Sequence, residues 1–214
     1  MHFALKMFLI LILTVLISCN GGDGNSSDPT NNDDDKTITI LPNTKVFHYS
    51  FNEQNTAQCR NSVGDYLHGR IYNAVRVNGI SGGALEFLGG SSFALSPVID
   101  TEGIPFDNNL FYADTWINLK NGSDLSGTIM GDTFGGVCSF RWFIEEGYIK
   151  LYVCDSGEVI TSNQRLQSEQ WYRLAVTYDS RWVRIFIDGE EDQANEVLFN
   201  FNKSHNVIRI GDSL

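Results

Sequence analysis

A run of aromatic side chains around an acidic turn carries the first chemical signal in this sequence. Residues 145–147, Glu-Glu-Gly, form a three-residue turn typical of a β-hairpin, which pairs Ile144 with Tyr148. In that register, one face of the hairpin carries aromatic rings and a lysine: Phe140, Trp142, Tyr148, Lys150 and Tyr152. Because aromatic rings pack on the C–H faces of sugars, we predict that this face binds a ligand.

The other face of the same hairpin is predicted to lie in the core. It carries only apolar side chains, namely Phe143, Ile149, Leu151 and Val153. An alternative for the aromatic face stays open at this point. It could lie beneath a long loop such as 120–136, or continue into a second apolar layer.

The hairpin register also places two cysteines opposite each other. Cys138 and Cys154 fall directly across the two strands, where the Cα separation suits a disulfide. Outside the cytoplasm such a pair is oxidised, so we predict a Cys138–Cys154 disulfide, with two buried free thiols as the alternative. Cys59 is then left as an odd thiol.

Acidic side chains are plentiful, but their spacing does not suit catalysis. A retaining glycosidase needs two carboxyl groups about 5–5.5 Å apart. Here the acidic clusters at 100–102, 145–146 and 188–192 fall in predicted turns or loops, where carboxylates stay solvated. There is no Gly-x-Ser-x-Gly or His-Glu-x-x-His motif. We therefore predict that the protein is not an enzyme.

Short alternating segments must position these side chains. Apolar and polar residues alternate over 46–51, 83–87, 93–96 and 113–119, and Gly, Asn, Asp and Ser interrupt them. No stretch sustains the spacing of an amphipathic helix. Without helices, the apolar faces of the strands are buried only by packing one sheet on another. The sequence therefore predicts an all-β, two-sheet antiparallel sandwich.

The first 18 residues read as a leader. Residues 8–17 are apolar except for one Thr, and ten residues are too short to span a bilayer as a helix. Leu-Ile-Ser-Cys at 16–19 resembles a bacterial lipobox, which implies cleavage before Cys19 and its lipidation. A plain signal peptide with an incidental cysteine is the alternative. Asn20 in place of Asp favours the outer membrane by the same resemblance, with its side left open.

Residues 19–36 are predicted to be a flexible acidic tether. Beyond Cys19 this segment contains no hydrophobic side chain and five Asp. The chain as a whole has a formal net charge of −11, which makes nucleic acid an improbable partner. The globular part is predicted to occupy residues 37–214.

A series of short signatures in the globular part resembles the laminin-G-like jelly-roll domains of the concanavalin A-like lectin/glucanase superfamily. They occur in the family's order: Tyr49–Glu53, Asn61–Gly69, Gly82–Phe87, Asp114–Ile117, Trp171–Asp179, Ile185–Glu190 and Ile208–Ser213. The resemblance implies a jelly-roll sandwich. The family continues into one more strand that lies beside the first. Because the sequence stops at Leu214, we expect a C-terminally truncated domain in which the strand around Phe47 has one unpaired edge.

The resemblance also implies a structural calcium ion near the end of the first strand. Glu53, Asn52 and Asp65 are the positions that match its ligands, and the alternative is that they are ordinary surface residues. No other cofactor is predicted.

Taken with the resemblance, these observations predict a membrane-tethered, non-catalytic domain that binds carbohydrate or another ligand at the cell envelope. Its partners would be a glycan or a glycan-bearing protein, together with the membrane that holds the lipid anchor. Two alternatives stay open: a structural or adhesive protein–protein module, and an accessory subunit of an envelope enzyme.

Overall fold

The structure is a computed structural model of the 214-residue chain. It describes residues 7–10, 48–53, 56–62, 65, 68–89, 92–99, 111–121, 125–132, 140–154, 156–197 and 206–212. In these segments the backbone forms β-strands and turns without a helix, which confirms the predicted all-β class. None of the described segments is therefore a helix long and apolar enough to cross a membrane.

The strands follow one another along the chain with short connections. In order they are β1 (Met7–Ile10), β2 (Gln58–Cys59), β3 (Gly69–Tyr72), β4 (Val75–Asn78), β5 (Gly83–Phe87), β6 (Phe93–Ile99), β7 (Phe111–Leu119), β8 (Gly127–Asp132), β9 (Phe140–Glu145), β10 (Tyr148–Val153), β11 (Glu158–Arg165), β12 (Trp171–Tyr178), β13 (Trp182–Ile187), β14 (Glu190–Glu196) and β15 (Asn206–Asp212).

These strands form two sheets in which all named neighbours are antiparallel. The seven-stranded sheet has the order β14-β13-β12-β7-β1-β5-β4, and the eight-stranded sheet has the order β11-β10-β9-β8-β15-β6-β3-β2. At one edge the sheets are joined by hydrogen bonds, since the Asn163 backbone N–H of β11 donates to Oδ2 of Asp192 in β14 at 2.6 Å. The fold is the predicted jelly-roll sandwich.

The core lies between the sheets because each strand turns alternate side chains inward. Strands β9, β10 and β13 show this period of two in their burial without a break. The largest fully buried side chains are Trp142, Tyr49, Phe51, Phe140, Leu85 and Ile117. The sandwich is therefore closed mainly by aromatic and branched side chains from both sheets.

The β9–β10 hairpin differs from the predicted register by one residue. Glu145, not Ile144, pairs with Tyr148. Glu146 and Gly147 form a two-residue turn with φ of 53° and 85°, which is the pattern of a type I′ turn. Because side chains alternate with a period of two, this shift reverses the faces of β9 relative to β10.

Strand β1 comes from the segment predicted to be the leader. Met7–Ile10 lies between β5 and β7 and pairs with both, for example Leu9 with Leu85 and with Ile117. An apolar segment that suits a signal peptide also suits the centre of a sheet buried on one face. The tether 19–36, Cys19, Phe47 and Leu214 lie outside the described residues, and Tyr49 makes one isolated bridge with Asn61.

Candidate ligand-binding face

The side of the eight-stranded sheet that points away from the core carries a mixed set of rings and cations. We call it the outer face. Its side chains occupy the outward positions of β3, β6, β9, β10 and β15, and most of them are half-buried: Arg70, Tyr72, Phe93, Leu95, Arg141, Phe143, Tyr148, Lys150, Tyr152 and Arg209.

The predicted binding residues divide between this face and the core. Tyr148, Lys150 and Tyr152 point outward from β10, as expected. Phe140 and Trp142 do not join them, because they are 1% and 0% exposed in the core. The prediction that all five share one face was wrong, and so was the core position predicted for Phe143, which is half-buried on the outer face. The cause is the one-residue register shift.

Three arginines form a row across the outer face, perpendicular to the strands. Arg70 of β3 and Arg209 of β15 both pair with Leu95 of β6. The row continues because Arg209 pairs with Gly131, Gly131 with Arg141, and Arg141 with Tyr152. Directly opposed residues in antiparallel strands point to the same side, so these side chains lie on one face. We call this set the arginine row.

The arginines of the row are evenly spaced. Each is two strands from the next, and neighbouring strands lie about 4.8 Å apart, so the Cα atoms are separated by roughly 10 Å. Gly131 stands midway between Arg141 and Arg209 and has no side chain to fill the gap. Gly131 itself is buried, and the Arg141 side chain packs over it, with Cγ 3.7 Å from where a Cβ of residue 131 would lie.

Aromatic rings support one end of the row. The rings of Tyr72 and Phe93 are stacked, with their centroids 4.8 Å apart. The Arg209 guanidinium carbon lies 4.5 Å from the Phe93 centroid, and that of Arg70 lies 5.5 Å from the Tyr72 centroid. In both contacts the guanidinium group lies over the face of a ring, which is the geometry of a cation–π interaction.

The charge on this face is unbalanced. The strands of the face direct one described carboxylate outward, that of Glu145, and it forms an ion pair with Lys150. Arg141 makes no ion pair or side-chain hydrogen bond with any residue that the structure describes. On a chain with a net charge of −11, the arginine row is a local concentration of positive charge.

The outward side of the seven-stranded sheet also carries rings and charges, but its charges are paired. Arg173 donates from Nη2 and Nε to Asp114 Oδ2, at 2.6 and 3.1 Å. This hydrogen bond raises the pKa of Arg173. Burial, followed by the charge of Asp114, raises the pKa of Tyr112 from 10.0 to about 12. Trp116 and Trp171 are half-buried on this side.

The predicted calcium ligands do not converge in the structure. Glu53 accepts a hydrogen bond from the Arg60 backbone N–H at 2.8 Å and forms an ion pair with Arg76 at 3.3 Å. Asn52 Oδ1 accepts the Gly83 N–H at 2.6 Å, and Asp65 pairs with His68 instead. Among the described residues no group of three His, Cys, Asp or Glu side chains could hold a metal ion. Each of the three side chains is thus engaged by a protein partner, and the calcium ion stays a prediction.

The cysteines are placed only in part. Cys59 is a buried free thiol, and burial, followed by the charge of Glu53, raises its pKa from 9.0 to about 12. Cys138 lies outside the described residues. The described β9–β10 ladder ends at the pair of Val153 and Phe140, one residue before Cys154. The disulfide between them stays a prediction.

The arginine row was not foreseen from the sequence. Each arginine occupies an outward position in an alternating segment, and that pattern is readable for 69–72 and 207–210. Their convergence depends on strands that are far apart in the chain, such as β6 and β15. Alternation within a single strand does not reveal which strands become neighbours.

Comparison of the sequence with known families gives one match. A family model of the concanavalin A-like lectin/glucanases superfamily, Laminin_G_3, matches residues 94–214. This is more than half of the chain. No curated protein matches the sequence.

Solved structures share the fold at low sequence identity. Domain 4 of AbnA, a GH43 extracellular arabinanase from Geobacillus stearothermophilus, was solved in complex with arabinotriose; it is 17% identical, with a TM-score of 0.53, over 78% of this chain and 82% of that domain. A sialidase from Trypanosoma rangeli is 15% identical, with a TM-score of 0.57, over 76% of this chain and 26% of the sialidase. The binding domain of botulinum neurotoxin DC, in complex with SialylT, is 16% identical, with a TM-score of 0.55, over 76% and 42%.

Proposed function

The chain belongs to the concanavalin A-like lectin/glucanases superfamily, and we propose that it is a non-catalytic domain that binds glycans on the outer face of its eight-stranded sheet. The observation that carries this proposal is the juxtaposition of half-buried rings and arginines across that face. Tyr152 lies beside Arg141, and Tyr72 and Phe93 lie beside Arg70 and Arg209.

The chemistry of this face suits sugars. Tyrosine and phenylalanine rings offer flat apolar surfaces to sugar C–H groups, while tyrosine hydroxyls and arginine N–H groups hydrogen-bond to sugar hydroxyls. Proteins that share the fold support the proposal. The arabinanase domain was solved with arabinotriose, and botulinum neurotoxin type C, whose structure also shares the fold, interacts with gangliosides.

The carboxylates of the described residues support a non-catalytic role. Glycoside hydrolysis uses two carboxyl groups on opposite sides of the scissile bond. On the outer face, Glu145 is held by Lys150. On the opposite side of the sandwich, Asp114 is buried and accepts hydrogen bonds from Arg173. Each of these two carboxylates is held in an ion pair with a cation.

We also propose that the domain is displayed at the cell envelope. Lipid attached to Cys19 would hold the chain on a membrane, most simply the outer membrane, and the acidic segment 19–36 would keep the domain away from the surface. Tethering many copies on one membrane would raise the avidity for a polymeric glycan.

A glycan array tests the binding function and its location together. Full-length protein in detergent should bind a subset of glycans, and Tyr152→Ala should lose most of that binding while keeping the circular dichroism of the parent. Trp171→Ala is the matched control, because it removes a half-buried ring from the opposite side of the sandwich. Loss of binding in Trp171→Ala together with full binding in Tyr152→Ala would place the site on the seven-stranded sheet and contradict the proposal. A silent array together with capture of one specific protein would favour an adhesive module.

A further inference from the structure

We propose that the glycan bound on the outer face is acidic, with carboxylate groups that recur along a linear chain and meet the arginine row. This inference rests on the proposed glycan-binding function and specifies its ligand class. The residues that recognise the acidic groups are Arg70, Arg141 and Arg209.

The first argument is charge. A neutral glycan gives no reason for three arginines in one row with no outward carboxylate between them among the described side chains, on a protein that carries 26 acidic and 15 basic residues. Elsewhere in the same molecule arginines are neutralised by carboxylates: Arg173 by Asp114, Arg76 by Glu53, and Arg181 by Glu196. Arg141 has no such partner in the part of the chain that the structure describes. Arginine also binds carboxylates with two parallel hydrogen bonds, which suits uronate groups.

The second argument is spacing. Neighbouring arginines of the row lie roughly 10 Å apart, because they are separated by two strands. This distance is comparable with the length of a disaccharide in an extended polysaccharide. A chain laid across the strands would therefore present an acidic group to each arginine if every second sugar were acidic, or if all were acidic and alternate ones faced the sheet.

The third argument is the surface between the cations. Gly131 is buried and adds no side chain between Arg141 and Arg209, so at this point of the row β8 contributes nothing that would hold a sugar away from the arginines. At one end of the row the half-buried rings of Tyr152 and Tyr148, on the same face of β10, can contact sugar faces. At the other end the faces of Tyr72 and Phe93 are covered by each other and by Arg70 and Arg209. A site for a lipid headgroup or a polyphosphate needs the cations but not these rings. The combination favours an acidic glycan over other polyanions.

The test compares each acidic polysaccharide with its own neutral derivative. Full-length protein in detergent is titrated with polygalacturonate, alginate and hyaluronate, and with the methyl ester of each. We expect at least one acid form to bind at least about tenfold more tightly than its ester, and the difference to shrink as salt is added. Arg141→Gln should weaken binding to the acid form about tenfold and weaken binding to the ester much less. Arg209→Gln and Arg70→Gln should also weaken binding to the acid form.

The matched control is Arg181→Gln, which removes the same charge from an exposed arginine away from the outer face. It should leave binding to all forms unchanged. Equal affinity for acids and esters would overturn this inference while leaving the proposed function intact. Binding to none of these polymers would overturn it too, and the glycan array then decides whether the proposed function also fails. Equally tight binding to polyglutamate or to phosphatidylglycerol vesicles would show a general polyanion site and contradict it.

Discussion

The two outward sides of the sandwich differ in the ion pairing of their arginines. On the seven-stranded sheet, Arg173 is bonded to Asp114, and Arg184 pairs with both Asp179 and Glu191. On the eight-stranded sheet, Arg141 has no described ionic partner and Arg209 lies against the Phe93 ring. Both sides carry aromatic rings, so rings alone do not mark a binding site. The difference in ion pairing is what distinguishes a side built for the fold from a side available to a ligand.

The sheets also differ in where their strands come from. All strands of the eight-stranded sheet lie between Gln58 and Asp212. The seven-stranded sheet takes an interior strand, β1, from Met7–Ile10, which the sequence predicts to be part of a cleaved leader. Cleavage before Cys19 would therefore remove β1 and uncover the backbone of β5 and β7. It would remove nothing from the arginine row.

The largest effect should follow from deleting residues 1–18. If the leader is cleaved and Cys19 lipidated as proposed, the mature protein lacks β1, so this prediction applies to the uncleaved chain. There we expect the free energy of unfolding to fall by about 5 kcal/mol, because β5 and β7 lose several backbone hydrogen bonds inside the sheet. Hydrogen exchange should speed up in 83–87 and 111–119 and stay slow in β9 and β10. Unchanged stability and exchange would mean that Met7–Ile10 is not part of the native sheet.

Glycan binding by the same deletion variant sharpens the comparison. Where enough protein stays folded, its affinity should equal that of the full chain, since the outer face contains no part of β1. A loss of affinity in protein that is still folded would show that glycan binding on the eight-stranded sheet depends on β1 of the other sheet.

The next largest effect should come from Trp142→Ala. The indole is fully buried between the sheets, so its removal should cost about 3–5 kcal/mol of stability in urea unfolding. Trp142→Phe should cost less, because the buried indole N–H has no hydrogen-bond partner among the described residues. A Trp142→Ala protein of normal stability that fails to bind glycan would restore the register in which Trp142 faces the ligand.

A pair of arginine substitutions separates structural from binding charges. Arg173→Gln should destabilise the protein by about 1–2 kcal/mol, since it leaves buried Asp114 without its cation; the half-exposed position of Arg173 limits the effect. Arg141→Gln should change stability by less than about 0.5 kcal/mol. Glycan binding should show the reverse order: Arg141→Gln should weaken it, and Arg173→Gln should change it little. Equal effects of the two variants on both stability and binding would remove the distinction between the two sides.

The smallest effect concerns alkaline pH. The pKa values of Cys59 and Tyr112 are raised to about 12 in the folded chain, so the folded state holds these protons more tightly than the unfolded state. Their contribution to stability is complete below about pH 9 and is lost as the pH rises towards 12. Between pH 8 and pH 10, the free energy of unfolding measured in urea should fall by about 1 kcal/mol less for Cys59→Ala than for the parent protein. Identical slopes would mean that Cys59 titrates normally.

Sequence patterns predicted the strands far better than their arrangement. Alternation identified 83–87 and 113–119, because the side-chain period is a local property. The predicted register of the hairpin was wrong by one residue, because Glu145, Glu146 and Gly147 allow either a two- or a three-residue turn. Burial of Trp142 and Phe140 in the core decides between the two turns. The arginine row depends on pairing between β3, β6 and β15, which no local pattern contains.

The most direct test of the central claim is a crystal structure of the protein with an acidic oligosaccharide, such as trigalacturonate. The account predicts that the sugar lies across β8, over Gly131, with its carboxylates against Arg141 and Arg209. Sugar bound instead against Trp116 and Trp171, on the opposite side of the sandwich, would contradict it.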